Sequence, residues 1–252
     1  MQAYNPSFAR IYNQRWTGFA QRVAPQIWTF YESTPAAEHR SLLDLCCGTG
    51  QLALAFLERD YHVVGIDLSE HMLLYARENA GSYLATGQAR FIHADASDFG
   101  LDERFGLVVS TFDALNHLPS ADALRNCFRC VYPVLLPGGF YVFDLNTRAG
   151  LRARWNGVQV ENTEEILLVT RGIYDEESEK AWTGITGFLR TESGLYERFE
   201  QVAYNIGFDL AWVRSALLET GWRSVYFARM EDLGMPIAEP ERENRVFIVA
   251  YK

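Results

Sequence analysis

Long hydrophobic runs are missing from this 252-residue chain: the longest, residues 52–57 among them, reach about six residues, against the roughly 20 that a membrane-spanning helix requires. A surplus of positive charge is missing too. With 23 Lys+Arg against 32 Asp+Glu the formal net charge is -9, and no basic stripe offers the cations that non-specific binding to a phosphate backbone needs. Cysteine is scarce: Cys46, Cys47, Cys127 and Cys130 are too few for a disulfide scaffold. Cys127-x-x-Cys130 lies among Leu124, Phe128, Val131 and Leu135, the pattern of a buried helix face, and no further Cys pair or His follows at zinc spacing. The opening Met1-Gln2-Ala3-Tyr4-Asn5-Pro6 has no basic patch leading into an apolar stretch, so no secretory signal is read and a reduced, cytoplasmic protein is expected. Internal repeats and low-complexity segments are absent.

What is there is apolar substance, 48% of the residues, enough for a core and against disorder. At roughly 150 residues per domain the length allows one domain with an insertion, or two small ones. Asn5 can cap and Pro6 can open a first helix, on which Phe8, Ile11, Tyr12, Trp16 and Phe19 fall at helical spacing. Pro25 is expected to interrupt it, with a second short helix over 27–31. From Ser41 short apolar runs alternate with amphipathic segments: 42–46 then 51–59, 63–66 then 69–79, 90–93, 107–110 then 120–135, and 140–143. That alternation signals βαβ units around a buried parallel sheet. Ser69 and Ser120 stand at helix N-caps, and Pro137-Gly138-Gly139 reads as a sharp stop before the next strand. Residues 158–205 hold β-rich runs (166–169, 182–189, 199–204) and no sustained helical period, which reads as an inserted antiparallel sheet. A helix over 210–220, opened by Asp209 and closed by Gly221, and strands near 224–228 and 245–251 resume the α/β pattern.

The informative segment is Leu42-Leu43-Asp44-Leu45-Cys46-Cys47-Gly48-Thr49-Gly50-Gln51-Leu52-Ala53. An apolar strand runs into two glycines and then a helix, at the carboxyl end of the first strand, where open α/β sheets bind ligands. Gly48-x-Gly50-x-x-Ala53 also satisfies the dinucleotide fingerprint, so the glycines alone do not choose a cofactor. The carboxylates do. Asp44 precedes the loop, Asp67 ends the second strand and Asp95 the third. A pyrophosphate would be repelled by Asp44. S-adenosylmethionine has no phosphate and presents an ammonium, a sulfonium, a ribose diol and an adenine amino group, all suited to acceptor groups.

Four pieces follow one another in this order: Leu43-Asp44-x-x-x-Gly48-x-Gly50, Val64-Gly65-Ile66-Asp67-Leu68-Ser69-x-x-Met72-Leu73, Ala94-Asp95-Ala96 and Leu136-Pro137-Gly138-Gly139-Phe140. Over about residues 40–146 the sequence resembles the class I S-adenosylmethionine-dependent methyltransferases, and the last helix and two strands fit as well. The resemblance implies a Rossmann-like, doubly wound α/β fold with a seven-stranded sheet whose last strand is antiparallel. It gives this domain residues 1–146 and 205–252, with 1–35 as a helical lid, and makes 147–204 a small antiparallel β subdomain capping the acceptor site. It implies that Asp44 and the Gly48/Gly50 loop hold the methionine part, Asp67 the ribose, and Asp95 with Ala96 the adenine. Met72 would pack on that ring, Cys46, Leu68 and Thr111 would be further cofactor contacts, and Tyr12 and Arg15 would close over it. From the residues alone, Met72 and Tyr12 are equally compatible with ordinary core.

The segment Ser110-Thr111-Phe112-Asp113-Ala114-Leu115-Asn116-His117-Leu118-Pro119 lacks the Asn/Asp-Pro-Pro-aromatic motif of many adenine and glutamine-amide methyltransferases. Asn116-His117-Leu118 is similar to the corresponding loop of small-molecule N-methyltransferases of the amino-sugar and glycine type. Asp113, Asn116 and His117 are therefore the candidate acceptor contacts, with His117 the candidate general base; its other reading is a capping or structural histidine. No His/Asp/Glu set has ligand spacing, so no metal is expected. The expected function is methyl transfer to nitrogen or oxygen of a small molecule, with neither nucleic acid nor membrane as partner. An NAD(P)-dependent oxidoreductase and a non-catalytic S-adenosylmethionine-binding protein are the rivals. Thermal stabilisation by NAD(H) with no response to S-adenosylhomocysteine would select the oxidoreductase.

Overall fold

The computed structural model describes residues 4–252, and no helix among them is long and apolar enough to cross a membrane. Two helices come first, α1 (Pro6–Arg15) and α2 (Gly18–Glu32). Asn5 caps α1 by accepting from the Phe8 N–H at 2.9 Å, and Pro6 occupies its first turn. The break falls at Trp16–Thr17, and α2 runs straight through Pro25, where the sequence predicts an interruption. Val23, Ala24, Ile27 and Tyr31 are buried on one face of α2, and this packing carries the helix past the bond that proline cannot donate.

The α/β core follows as β1 (Ser41–Leu45), α3 (Gln51–Leu57), β2 (His62–Asp67), α4 (Glu70–Ala80), the short α5 (Ser82–Ala85), β3 (Ala89–His93), β4 (Phe105–Ser110), a 3-10 turn (Ala114–His117), α6 (Ala121–Val134) and β5 (Leu135–Asn146). Next come α7 (Arg148–Arg154) and the inserted strands β6 (Gly157–Asn162), β7 (Ile166–Asp175), β8 (Lys180–Arg190) and β9 (Tyr196–Ile206). The chain returns to the core with α8 (Leu210–Thr220), β10 (Ser224–Arg229), β11 (Asp232–Pro236) and β12 (Arg245–Tyr251).

The main sheet has the order β11-β10-β12-β5-β4-β1-β2-β3, parallel from β5 to β3, with β12 antiparallel to both neighbours. It has eight strands where seven are predicted, because the segment after β10 folds back as an edge hairpin. Its Gly234 and Pro236 mark it as a loop in the sequence, and only an edge position tolerates them. A second difference concerns β5, which already begins at Leu135, so Pro137-Gly138-Gly139 bends the strand instead of preceding it. Both faces of the sheet are covered. Leu43, Val64 and Val108 pack with α6 and α8, and Leu42, Val63 and Leu107 with α2, α3 and α4, which explains the continuous apolar runs.

The insertion is a four-stranded antiparallel sheet in the order β6-β7-β8-β9. Its inner face (Ile166, Leu168, Ile185, Leu189 and Phe199) packs on Phe8 and Ile11 of α1, and the same cluster contains Met72 of α4. Helix α1 is thereby sandwiched between the insertion and the strand ends of the core. At the base of the insertion, a Cβ placed on Gly150 of α7 would lie 1.9 Å from the Asn244 carbonyl oxygen. Gly150→Ala should therefore lower stability by about 1–3 kcal/mol, read as a shifted urea midpoint with an unchanged slope.

Candidate active site

The chain leaves β1 through Cys46, Gly48 and Gly50, all at positive φ (63°, 56° and 75°). A Cβ on Gly50 would meet the Ala76 Cβ at 3.1 Å, so this glycine permits the loop to press on α4. Asp67, at the end of β2, braces the loop from the other side. One carboxylate oxygen accepts from the Gly48 N–H and the other from the Ser69 N–H, each at 2.8 Å. Burial raises its pKa, and these two bonds oppose the rise. Asp44 lies deeper, 2% exposed, and its Oδ2 meets no hydrogen-bond partner. Burial pushes its pKa up to about 7, against the pull of the Ala53 N–H and with a further push from Asp67.

The loop after β4 carries the second half of the site. Phe112 and Asp113 are consecutive non-glycine residues at positive φ (66° and 50°), a strained conformation that needs outside support. Asp144 of β5 gives it, accepting from the Phe112 N–H at 2.6 Å and the Asp113 N–H at 3.0 Å. Arg245, at the head of β12, then pairs with both Asp144 and Asp113, and its guanidinium lies over the rings of Phe19 and Phe112. One turn on, His117 Nδ1 lies 2.6 Å from the Tyr204 carbonyl of the insertion and Nε2 lies 3.9 Å from Asp113 Oδ2. A carbonyl only accepts, so the imidazole proton belongs on Nδ1 and Nε2 keeps its lone pair. Burial lowers the His117 pKa, outweighing Asp113 and the Tyr204 bond, which raise it.

These parts border a cavity of about 320 Å³. Strand ends and loops supply Cys46, Gly48, Asp67, Leu68, Thr111, Asp113 and His117; α4 supplies Met72; α1 supplies Phe8 and Tyr12, which Tyr4 and Trp16 flank. Trp155, Thr170, Thr183, Ile185, Ala203 and Asn205 come from the insertion and the segment leading into it. A void of about 30 Å³ shares walls with it at Tyr12, Cys46, Thr111 and Phe112 and has Asp44 on its lining.

Six predicted residues lie off this cavity, Asp44 among them on the adjoining void. Arg15 points outward from α1 and pairs with Glu161 of β6, because the apolar side of the helix is the one turned inward. Asp95 closes a turn, its Oδ1 accepting from the Ser97 N–H and hydroxyl at 2.7 Å each. Ala96 is core, and Gly50 backs the loop from α4. Asn116 is fully buried as a clamp: Nδ2 donates to the Asn146 and Ile206 carbonyls at 3.0 and 2.8 Å, and Oδ1 accepts from the Asn146 N–H at 2.9 Å. Conversely, sequence reasoning misses Arg245, Asp144, Thr183 and Asn205. A charge inside the apolar run Phe143-Asp144-Leu145, and an arginine heading Val246-Phe247-Ile248-Val249-Ala250, were the available signals for the first two. Among the described residues no cluster of three or more His, Cys, Asp or Glu could hold a metal.

A family model described as a methyltransferase domain matches residues 42–139. YqeM of Bacillus subtilis (strain 168), provisionally named a methyltransferase, is 34% identical over 121 residues, 48% of this chain and 48% of that relative, so the match spans about half its length. A solved S-adenosylmethionine-dependent methyltransferase from Clostridium acetobutylicum ATCC 824 covers 97% of both chains with a TM-score of 0.77 at 19% identity. The chain carries a methyltransferase domain over residues 42–139 and has the fold of S-adenosylmethionine-dependent methyltransferases. The sugar N-methyltransferase KedS8 of Streptoalloteichus sp ATCC 53650 covers 100% of this methyltransferase and 94% of its own chain, with a TM-score of 0.77 at 20% identity, a likeness of fold.

The crevice of this methyltransferase suits a cationic donor. Asp44 carries a bare, buried oxygen at the glycine turn, which an ammonium would satisfy and a pyrophosphate would not. Asp44→Asn should abolish the thermal stabilisation given by S-adenosylhomocysteine. Without ligand the same variant should melt higher than the parent at pH 8, with the gap closing toward pH 5. The sign follows from the raised pKa: between about 4 and 7 the folded parent binds a proton that the unfolded chain releases, so the parent loses stability as pH rises.

Proposed function

We propose that this methyltransferase transfers the methyl group to the nitrogen of a small-molecule amine, with His117 as general base. Asp44 and the Cys46–Gly48 turn would hold the methionine part of the donor, Asp67 the ribose, and Leu68 and Met72 the adenine. Bound there, S-adenosylmethionine supplies a methyl group already activated by the sulfonium, so the protein has only to orient a nucleophile and exclude water.

The observation that carries this reading is the bare Nε2 of His117 on the cavity wall. The Tyr204 carbonyl fixes the proton on the far nitrogen, and burial keeps the ring neutral near pH 7. Asp113, held by Arg245 at 2.5 Å, places negative charge beside that lone pair. An amine that arrives as an ammonium is attracted to this pair and gives its proton to Nε2, which leaves the nitrogen lone pair free. Phe8, Tyr12 and Trp155 give the cavity aromatic walls. KedS8 supports a small nitrogen acceptor, since its name is that of a sugar N-methyltransferase.

The test is labelled methyl transfer across a panel of amines, carboxylates and phenols. Transfer should appear on amines. Its rate should fall in acid with an apparent pKa below 6.5, because burial lowers that of His117. His117→Ala should cost about 100-fold or more in kcat and erase the acid limb; full rate at every pH would remove the residue from the mechanism.

A further inference from the structure

The cavity carries a second set of polar groups, on the insertion, and their chemistry is opposite to that around His117. Asn205, at the end of β9, is 2% exposed and lines the cavity. The way its amide points is set by a chain of contacts. Arg154 can only donate, and its Nη2 reaches Asn146 Oδ1 at 2.5 Å. The Asn146 Nδ2 is thereby turned toward Asn205 and donates to its Oδ1 at 3.3 Å. The Asn146 backbone is fixed in turn by the Asn116 clamp. With Oδ1 occupied, Asn205 presents Nδ2 to the cavity, where no acceptor among the described residues meets it. On the neighbouring strand Thr183 Oγ1 accepts from Trp155 Nε1 at 2.8 Å, which leaves the hydroxyl hydrogen free to donate.

A fixed amide donor that opens onto a cavity and meets no protein acceptor marks a place where a ligand can complete the bond. Asn205 adjoins Tyr204, whose carbonyl sets the His117 tautomer, so the donor and the base lie at one strand end. We propose that Asn205 is a specificity-determining residue: its Nδ2–H donates to an oxygen carried by the acceptor amine, a hydroxyl, ring ether or carbonyl a few bonds from the nitrogen. Thr183 offers a second donor to the same oxygen-bearing part. This rests on the amine reading above and narrows it to oxygenated amines.

Two probes test it, a methyl aminodeoxy-hexopyranoside and cyclohexylamine, which share a ring and an amine and differ in their oxygens. The parent should prefer the hexoside in kcat/KM by at least about tenfold. Asn205→Asp keeps an oxygen toward Asn146 and puts an acceptor where the donor was. That ratio should fall about tenfold or more, while the affinity for S-adenosylhomocysteine, read by calorimetry, stays within twofold. Asn205→Ala and Thr183→Val should move the ratio the same way, and they carry the test if the aspartate variant does not melt cooperatively. Transfer to both probes with a ratio unmoved in the variants overturns this inference alone. Transfer to neither overturns it together with the amine reading, and the calorimetry then shows whether the donor half of the site still stands.

Discussion

One buried carboxylate shapes the His117 side of the cavity. Asp144 accepts from the backbone of Phe112 and Asp113 and pairs with Arg245. Without those bonds two adjacent side-chain-bearing residues would have no reason to stay left-handed, and the turn that follows would not present His117 to the cavity. The two acids share a single cation, and Arg245 is itself stacked on Phe19 and Phe112, so charge and packing fix the same geometry. Arg245 lies at the start of β12, the antiparallel strand beside β5. The sheet topology thus delivers the cation to the place where the loop needs it.

The insertion depends on the core in a comparable way. Its strand β6 is largely exposed, and its inner face is completed by α1 and Met72. Polar contacts bind it further: Asn5 of the α1 cap donates to Gln201 and the Glu200 carbonyl, and Asn116 reaches the Ile206 carbonyl at the end of β9. The insertion and the turn that carries His117 therefore share one hydrogen-bonded framework.

Much of the fold was legible because its signals are local. The caps Ser69, Ser120 and Asp209 and the stop at Gly221 need only neighbours a turn away, and the helices they bound follow the sequence closely. Where tertiary packing outweighs a local preference, the reading diverges: Pro25 inside α2 and the edge strand β11 are both cases. At the site, the glycine turn with Asp44 and Asp67 stands out because the residues fall in one short pattern. Asn116 illustrates the opposite. Its type and loop position suggest ligand contact, yet partners 30 and 90 residues away take up its amide. Arg245 and Asp144, 101 residues apart, are joined only by the folded sheet.

The Tyr204 carbonyl has a consequence for anyone who would retarget this enzyme. That atom belongs to the insertion, yet it decides which nitrogen of a core imidazole holds the proton. Exchanging the insertion would thus also act on the imidazole beneath it. A transplanted insertion must bring an oxygen to the same spot, or the histidine is free to hold its proton on the other nitrogen.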